Sequence, residues 1–175
     1  MINVGCTIKS SEQSAKMALE YDFLWGTQGL HHSDCGDFSE ELMRKFYEVA
    51  KSNRKIVAIG ETGLDYHYEN ANPKKQQESL RAQMRLAEEL NLSVIIHSRQ
   101  ADKDTIKILK EFPRVRCVIH CFSQDREYAE EILKMPQINP KGGHIFSFSG
   151  TLTYPKSDEV RSVAAILPDD RILIE

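Results

Sequence analysis

Short apolar runs alternate with amphipathic segments along the whole chain, and this alternation leaves few possible architectures. Continuous apolar runs such as Ile56–Ile59 and Val94–Ile96 are typical of strands in a parallel sheet covered by helices. The candidate strands are Ile2–Thr7, Leu24–His31, Ile56–Gly63, Ser93–Ser98, Arg116–Phe122, Gly143–Ser149 and Arg171–Glu175. The sequence therefore predicts seven strands within an α/β fold.

The segments between these runs carry helical periodicity. It is clearest in Gln76–Leu90, where Leu80, Met84 and Ala87 recur at steps of three and four residues among charged neighbours. A second periodic run follows Ser39, a residue type suited to the N-cap of a helix. Strands and helices are thus expected to alternate.

Two architectures accommodate such an alternation. A doubly wound sheet usually carries a glycine-rich phosphate turn after its first strand, but Val4–Thr7 contains a single glycine. We therefore favour a TIM-type β/α barrel, with residues 1–175 as one domain. Because such barrels typically have eight strands and about 250 residues, we expect this chain to be an incomplete barrel that lacks one strand.

Composition limits the possible partners. Charged residues make up 28% of the chain and the net charge is -3, so a contact with nucleic acid must be local or metal-assisted. The four cysteines (Cys6, Cys35, Cys117 and Cys121) have no CxxC spacing, and no apolar stretch approaches the roughly 20 residues that cross a bilayer. We expect a cytoplasmic protein with no membrane partner.

Three predicted strands end in residues that can bind metal ions. Glu61, His97 and His120 each directly follow an apolar run, and barrel active sites are built at the C-terminal ends of the strands. Together they would bind a divalent cation such as Zn²⁺ or Mn²⁺ and leave positions for water. Simple strand capping is the alternative for each residue, and a zinc site of His120 with Cys117 and Cys121 is disfavoured because strand alternation points the cysteines away.

The motifs around these residues resemble those of TatD-type metal-dependent deoxyribonucleases. The resemblance covers essentially the whole chain and rests on four motifs in order: Gly60-Glu61-Thr62-Gly63-Leu64-Asp65-Tyr66, Ile96-His97-Ser98-Arg99, His120-Cys121-Phe122-Ser123 and Ser147-Phe148-Ser149-Gly150. It implies a TIM barrel that uses two divalent ions (Mg²⁺, Mn²⁺ or Zn²⁺) to cleave DNA from the 3′ end. By the same resemblance, Glu61 is the catalytic carboxylate that bridges both ions, and His97 and His120 complete the second ion's site.

Three further residues are candidates for substrate binding. Arg99 lies two residues beyond His97 and could hold a phosphate, with a salt bridge to Asp102 as the alternative. Asp65 could orient a ligand or a water molecule, or simply cap the loop in which we expect it. His31 matches the first histidine of a family loop and is a weaker candidate, because loop histidines are often solvated.

The chain departs from the family pattern in several places. The family's first strand, with its His-x-His ligands, and the Thr-Asp that follows its last strand have no counterpart here, which implies an incomplete site and low activity for this chain. Where the family loop usually reads Gly-Ile-His-Pro-His, this chain has Gly29-Leu30-His31-His32-Ser33. Ser93 replaces a usual proline, and Lys103 stands at a usually acidic position.

Three hypotheses for function remain open. The first is a metal-dependent deoxyribonuclease, and the second is an amidohydrolase or deacylase that uses the same barrel mouth. The third is an inactive barrel fragment that serves as a binding module. The full-length relative is expected to be a monomer, whereas the open barrel edges of this chain could promote association.

Overall fold

The computed structural model describes residues 1–136 and 142–175, which form one curled sheet with helices. All seven strands run parallel and pair in chain order, from β1 to β7. The strands are β1 (Ile2–Asn3), β2 (Trp25–Gln28), β3 (Ile56–Asp65), β4 (Ser93–Arg99), β5 (Cys117–Ile119), β6 (Ile145–Phe148) and β7 (Ile172–Ile174). The α/β architecture and the barrel-like arrangement predicted from the sequence are confirmed.

Six α-helices connect the strands within the described residues. They are α1 (Ile8–Glu20), α2 (Glu40–Ser52), α3 (Pro73–Leu90), α4 (Asp102–Glu111), α5 (Arg126–Leu133) and α6 (Asp158–Ala164), with 3₁₀ turns at His32–Asp37, Gly150–Thr153 and Asp169–Arg171. Ser39 caps α2, since its side chain accepts a hydrogen bond from the Leu42 N–H. Helix α3 begins at Pro73 and ends at Leu90, and the left-handed backbone of Asn91 caps its last turn.

Two strand boundaries differ from the predicted ones and change where site residues lie. β1 stops at Asn3 because Thr7 instead caps α1, where Thr7 and Ser10 form a reciprocal capping box. β3 continues to Asp65, whose backbone still pairs with Arg99 of β4. Glu61 lies within β3, as the predicted strand Ile56–Gly63 implied, but Asp65 is the last residue of that strand rather than a loop residue.

The core lies between the sheet and the helices that cover it. Its largest fully buried side chains come from both, and include Phe122, Phe146, Phe148, Leu64, Leu80, Met84, Ile96 and Ile132. Burial of these apolar side chains supplies most of the free energy that stabilises such a fold. The strands are thereby held so that their C-terminal ends form one rim.

Candidate metal centre

The rim brings together all three residues predicted to be metal ligands. Glu61 lies in β3 where the pairing with β4 shifts register between Ile59 and Thr62. His97 lies in β4, and His120 directly follows β5. One oxygen of Glu61, Oε1, is 3.5 Å from Nδ1 of His97 and 3.8 Å from Nε2 of His120.

The electrostatics of this cluster favour an ionised carboxylate. Burial alone would raise the pKa of Glu61, but its hydrogen bond with His97 and the nearby charges of His120 and His31 lower that pKa overall. Burial likewise opposes protonation of His97, yet its hydrogen bonds with Glu61 and Asp65 raise the His97 pKa. Glu61 is thus an anion that faces several imidazoles at neutral pH.

Asp65 contacts both a backbone N–H of the following turn and the ring of His97. Its Oδ1 accepts a hydrogen bond from the backbone N–H of His67 at 2.9 Å, which caps the turn after β3. Its Oδ2 lies 3.2 Å from Nε2 of His97, opposite the ring nitrogen that faces Glu61. A carboxylate in this position fixes the orientation and tautomer of a histidine that binds metal.

Glu175 occupies the equivalent position next to His120, and the sequence reasoning did not name it as a site residue. Its Oε2 is 2.5 Å from Nδ1 of His120, and its Oε1 accepts a hydrogen bond from the Cys121 N–H. The sequence does contain a signal for this residue, because Glu175 directly follows the apolar run Ile172–Ile174. The three predicted ligands follow apolar runs in the same way.

His31 reaches the rim, as the sequence suggested, and it is accompanied by a neighbour that was not predicted. Nε2 of His31 lies 3.7 Å from Oε1 of Glu61. His32 is buried against it, with Nε2 3.7 Å from Oδ2 of Asp65. Burial lowers the pKa of both histidines, that of His32 to about 4. The family pattern has proline at this position, so the motif comparison gave no reason to select His32.

Arg99 lies on the same face of β4 as His97 but is exposed to solvent. Its guanidinium carbon is 5.9 Å from the ring centroid of Tyr68, a distance typical of a cation–π contact. Within the described residues no ion pair joins Arg99 to Asp102, the alternative considered from the sequence. The guanidinium is therefore available to an anion near the rim.

The cysteines do not form a zinc site in the part of the chain that the structure describes. Cys117 is fully buried, and burial raises the pKa of its thiol. Sγ of Cys121 contacts the hydroxyl of Ser149 at 3.1 Å. Cys6 is nearer the rim, with Sγ 3.7 Å from Oε2 of Glu61, and burial together with that carboxylate raises its pKa to about 11. A neutral thiol at this position is a poor metal ligand.

The donor set at the rim fits a divalent cation. It combines an ionised carboxylate with imidazole nitrogens from separate strands, and two outer carboxylates, Asp65 and Glu175, hold the rings of His97 and His120. This arrangement at the C-terminal rim of a parallel β/α sheet defines the class of metal-dependent hydrolases with a barrel fold.

The comparisons with known proteins then identify the family. The family model described as TatD related DNase matches residues 1–175, and the chain belongs to this family. A Bacillus subtilis protein named "Uncharacterized metal-dependent hydrolase YabD" is 36% identical over 100% of this chain. An Erwinia tasmaniensis protein named "3'-5' ssDNA/RNA exonuclease TatD" is 31% identical, also over 100% of the chain. The crystal structure of YjjV, a TatD homologue from Escherichia coli K12, superposes with a TM-score of 0.88 over 99% of the chain at 29% identity.

The chain is shorter than these relatives. It spans 66% of the length of the Bacillus and Erwinia proteins and 65% of the YjjV chain. Within residues 1–136 and 142–175, no helix has the length and apolar character that a membrane span requires. The expected cytoplasmic location stays a prediction.

Proposed function

We propose that this chain carries the catalytic metal site of a deoxyribonuclease that hydrolyses DNA from the 3′ end. The observation that supports it most strongly is the single oxygen of Glu61 that faces both His97 and His120 across three adjacent strands. The name of the Erwinia relative, a 3′-5′ exonuclease of single-stranded DNA and RNA, supports a nucleic acid as the substrate.

The residues divide into ligands and positioning groups. Glu61, His97 and His120 would hold the cation, and by the family resemblance Glu61 would contact a second ion as well. Asp65 and Glu175 keep the rings of His97 and His120 in the orientation that presents one nitrogen to the ion. A bound divalent cation supplies Lewis-acid activation of water and of the phosphoryl oxygens. Mg²⁺, Mn²⁺ and Zn²⁺ are all compatible with this set of ligands.

Two exposed or half-exposed side chains are suited to contact the substrate. Arg99 offers a planar guanidinium at the edge of the rim, where it can bind a phosphate through two parallel hydrogen bonds. His31 lies beside Glu61, and we propose that it contacts a phosphate of the substrate. We expect both residues to contribute to DNA binding more than to the chemical step.

The test compares single-stranded DNA degradation by a protein that contains this chain and has the full length of its relatives with that by its Glu61→Gln variant. We expect the variant to lose at least about 100-fold in rate, because it removes the charge that holds the cation. Glu12→Gln, an exposed position on α1, is the matched control and should leave the rate unchanged. An equal rate for Glu61→Gln and the parent protein would contradict the proposal.

A substrate panel separates this function from the two alternatives. Cleavage of amide or ester substrates, with DNA left intact, would indicate an amidohydrolase or deacylase. Absence of divalent-cation binding by calorimetry would favour an inactive binding module. We expect metal-dependent release of nucleotides from the 3′ end instead.

A further inference from the structure

A compact group of three imidazoles lies beside the site described above. His31, His32 and His97 each offer one ring nitrogen, and these nitrogens lie within 4.8 Å of one another. The ring of His32 stacks on that of His97 with centroids 4.6 Å apart, and the rings of His31 and His32 are 3.8 Å apart. Among the described residues, this is the one group of three metal-binding side chains whose ligand atoms all approach so closely.

The surroundings of this group leave ligand nitrogens available. The Ser33 hydroxyl donates a hydrogen bond to Asp34, so its oxygen accepts from Nδ1 of His31 at 2.8 Å. Nε2 of His31 then carries the lone pair and points into the rim.

A carboxylate completes the group. Oδ2 of Asp65 lies 3.2 Å from Nε2 of His97 and 3.7 Å from Nε2 of His32. Asp65 is almost fully buried, with 3% of its side chain exposed. Three imidazoles and one carboxylate match the donor number and types of a tetrahedral zinc site.

We propose that His31, His32 and His97, with the carboxylate of Asp65, form a second cation site that prefers Zn²⁺ to Mg²⁺. Imidazole nitrogen suits borderline ions such as Zn²⁺, whereas Mg²⁺ requires oxygen ligands in octahedral geometry. The site differs from that of Glu61 and His120 because two of its ligands come from the segment after β2. The two sites share His97, whose Nδ1 faces Glu61 and whose Nε2 faces Asp65. The proposal concerns metal binding alone and does not depend on nuclease activity.

The test is calorimetric titration of the 175-residue chain with ZnCl₂ and, separately, MgCl₂. His32→Phe keeps an aromatic ring to stack on His97 but removes the ligand nitrogen. We expect it to weaken Zn²⁺ binding at least about tenfold, as loss of groups around a metal ion typically does, and to leave Mg²⁺ binding unchanged. His120→Ala, the matched variant for the other site, should retain one Zn²⁺ equivalent.

The outcomes separate this proposal from the proposed function. If His120→Ala abolishes all Zn²⁺ binding and His32→Phe binds as the parent chain does, the second site does not exist, whereas the site of Glu61 and His120 does. If neither variant changes Zn²⁺ binding, both proposed sites are contradicted. Circular dichroism on heating verifies that each variant folds. Should His32→Phe fail to fold, the half-exposed His31→Gln must show the same selective loss of Zn²⁺, and unchanged Zn²⁺ binding in that variant overturns the proposal.

Discussion

Glu175 contacts the candidate metal centre through the ring of His120. Its carboxylate lies 2.5 Å from the His120 ring and fixes the tautomer that presents Nε2 to the rim. We expect Glu175→Gln to weaken binding of a divalent cation by about 10- to 100-fold, measured by calorimetry. Glu159→Gln, exposed on α6, is the control. Equal affinities for the two variants would mean that Glu175 has no positioning role.

His144 is one of the residues whose protonation should limit stability in acid. It is buried, accepts a hydrogen bond from the Cys117 N–H, and has a pKa lowered from 6.5 to about 4 by burial and by Arg171 and Arg116. Between these values the unfolded chain binds a proton that the folded chain does not. Stability therefore falls as the pH decreases from 6.5 towards 4, by up to about 3 kcal/mol from this group.

The measurement for His144 is the free energy of unfolding, from urea denaturation at several pH values. In His144→Asn the amide oxygen can still accept the Cys117 hydrogen bond, but no group titrates. The variant should lose less stability than the parent chain between pH 6.5 and 4. Parallel curves for the two proteins would show that His144 does not titrate in this window.

At the scale of residues, the sequence identified the candidate site residues that directly follow an apolar run. Glu61, His97 and His120 were found this way, and the structure brings them together. His32 was not predicted because it follows no apolar run. Its contact with His97 depends on how the turn after β2 folds against β4. Its contact with Asp65 crosses 33 positions of sequence, counted from 32 to 65, which no local pattern encodes.

At the scale of elements, α3 positions the loop that carries His31. Gln83 of α3 is fully buried, and its Nε2 donates to the Leu30 carbonyl at 2.9 Å and to the Thr62 hydroxyl at 2.6 Å. Its Oε1 accepts from the Leu30 N–H at 2.9 Å. The side chain thus ties the segment before His31 to β3 and α3.

Gln83→Leu should reveal this connection. The substitution leaves the backbone groups of Leu30 and the Thr62 hydroxyl buried without partners, and we expect a loss of about 2–4 kcal/mol in the free energy of unfolding. Urea denaturation measures the loss, and Glu88→Gln on the exposed face of α3 should change stability by less than about 0.5 kcal/mol. If Gln83→Leu is as stable as that control, the hydrogen bonds do not hold the loop.

Element boundaries were predicted less well than element types. All seven strands and the helix Gln76–Leu90 were expected, because apolar runs and helical periodicity are local signals. The predicted end of β1 was wrong because Thr7 suits both a strand and a helix N-cap. The capping box with Ser10 favours the N-cap. The extension of β3 to Asp65 depends on pairing with β4, which is not visible in the sequence of β3 itself.

At the scale of the whole molecule, the two outer strands of the sheet present apolar side chains to solvent. Ile174 of β7 is 89% exposed and Ile2 of β1 is 51% exposed. Within the described residues each of these strands pairs on one side only. Unprotected edges of this kind template pairing with other chains.

We therefore expect the 175-residue chain to associate as its concentration rises. Light scattering after size-exclusion chromatography measures the effect. Ile174→Lys should reduce association, since a charge on an edge strand disfavours pairing. Leu19→Lys is the matched control, since Leu19 is 69% exposed on α1, and it should leave association unchanged. A monomer at every concentration, or equal effects of the two variants, would contradict this expectation.

The order of the strands illustrates what the sequence could establish for the molecule as a whole. Apolar runs separated by helices predicted a parallel sheet, and the sheet forms in chain order. The curvature that lets β3 and β7 contribute Glu61 and Glu175 to one rim arises from the twist of all strands together. For that reason the sequence predicted the rim, but not the contacts across it.

The shared cation at the rim is tested most directly by anomalous X-ray diffraction from crystals of the chain grown with Zn²⁺. We expect a peak within about 2.0–2.2 Å of the Glu61 carboxylate and of ring nitrogens of His97 and His120, the distances of zinc ligands. Crystals in which Zn²⁺ binds elsewhere, with Glu61 and His120 in contact with no ion, would contradict the account.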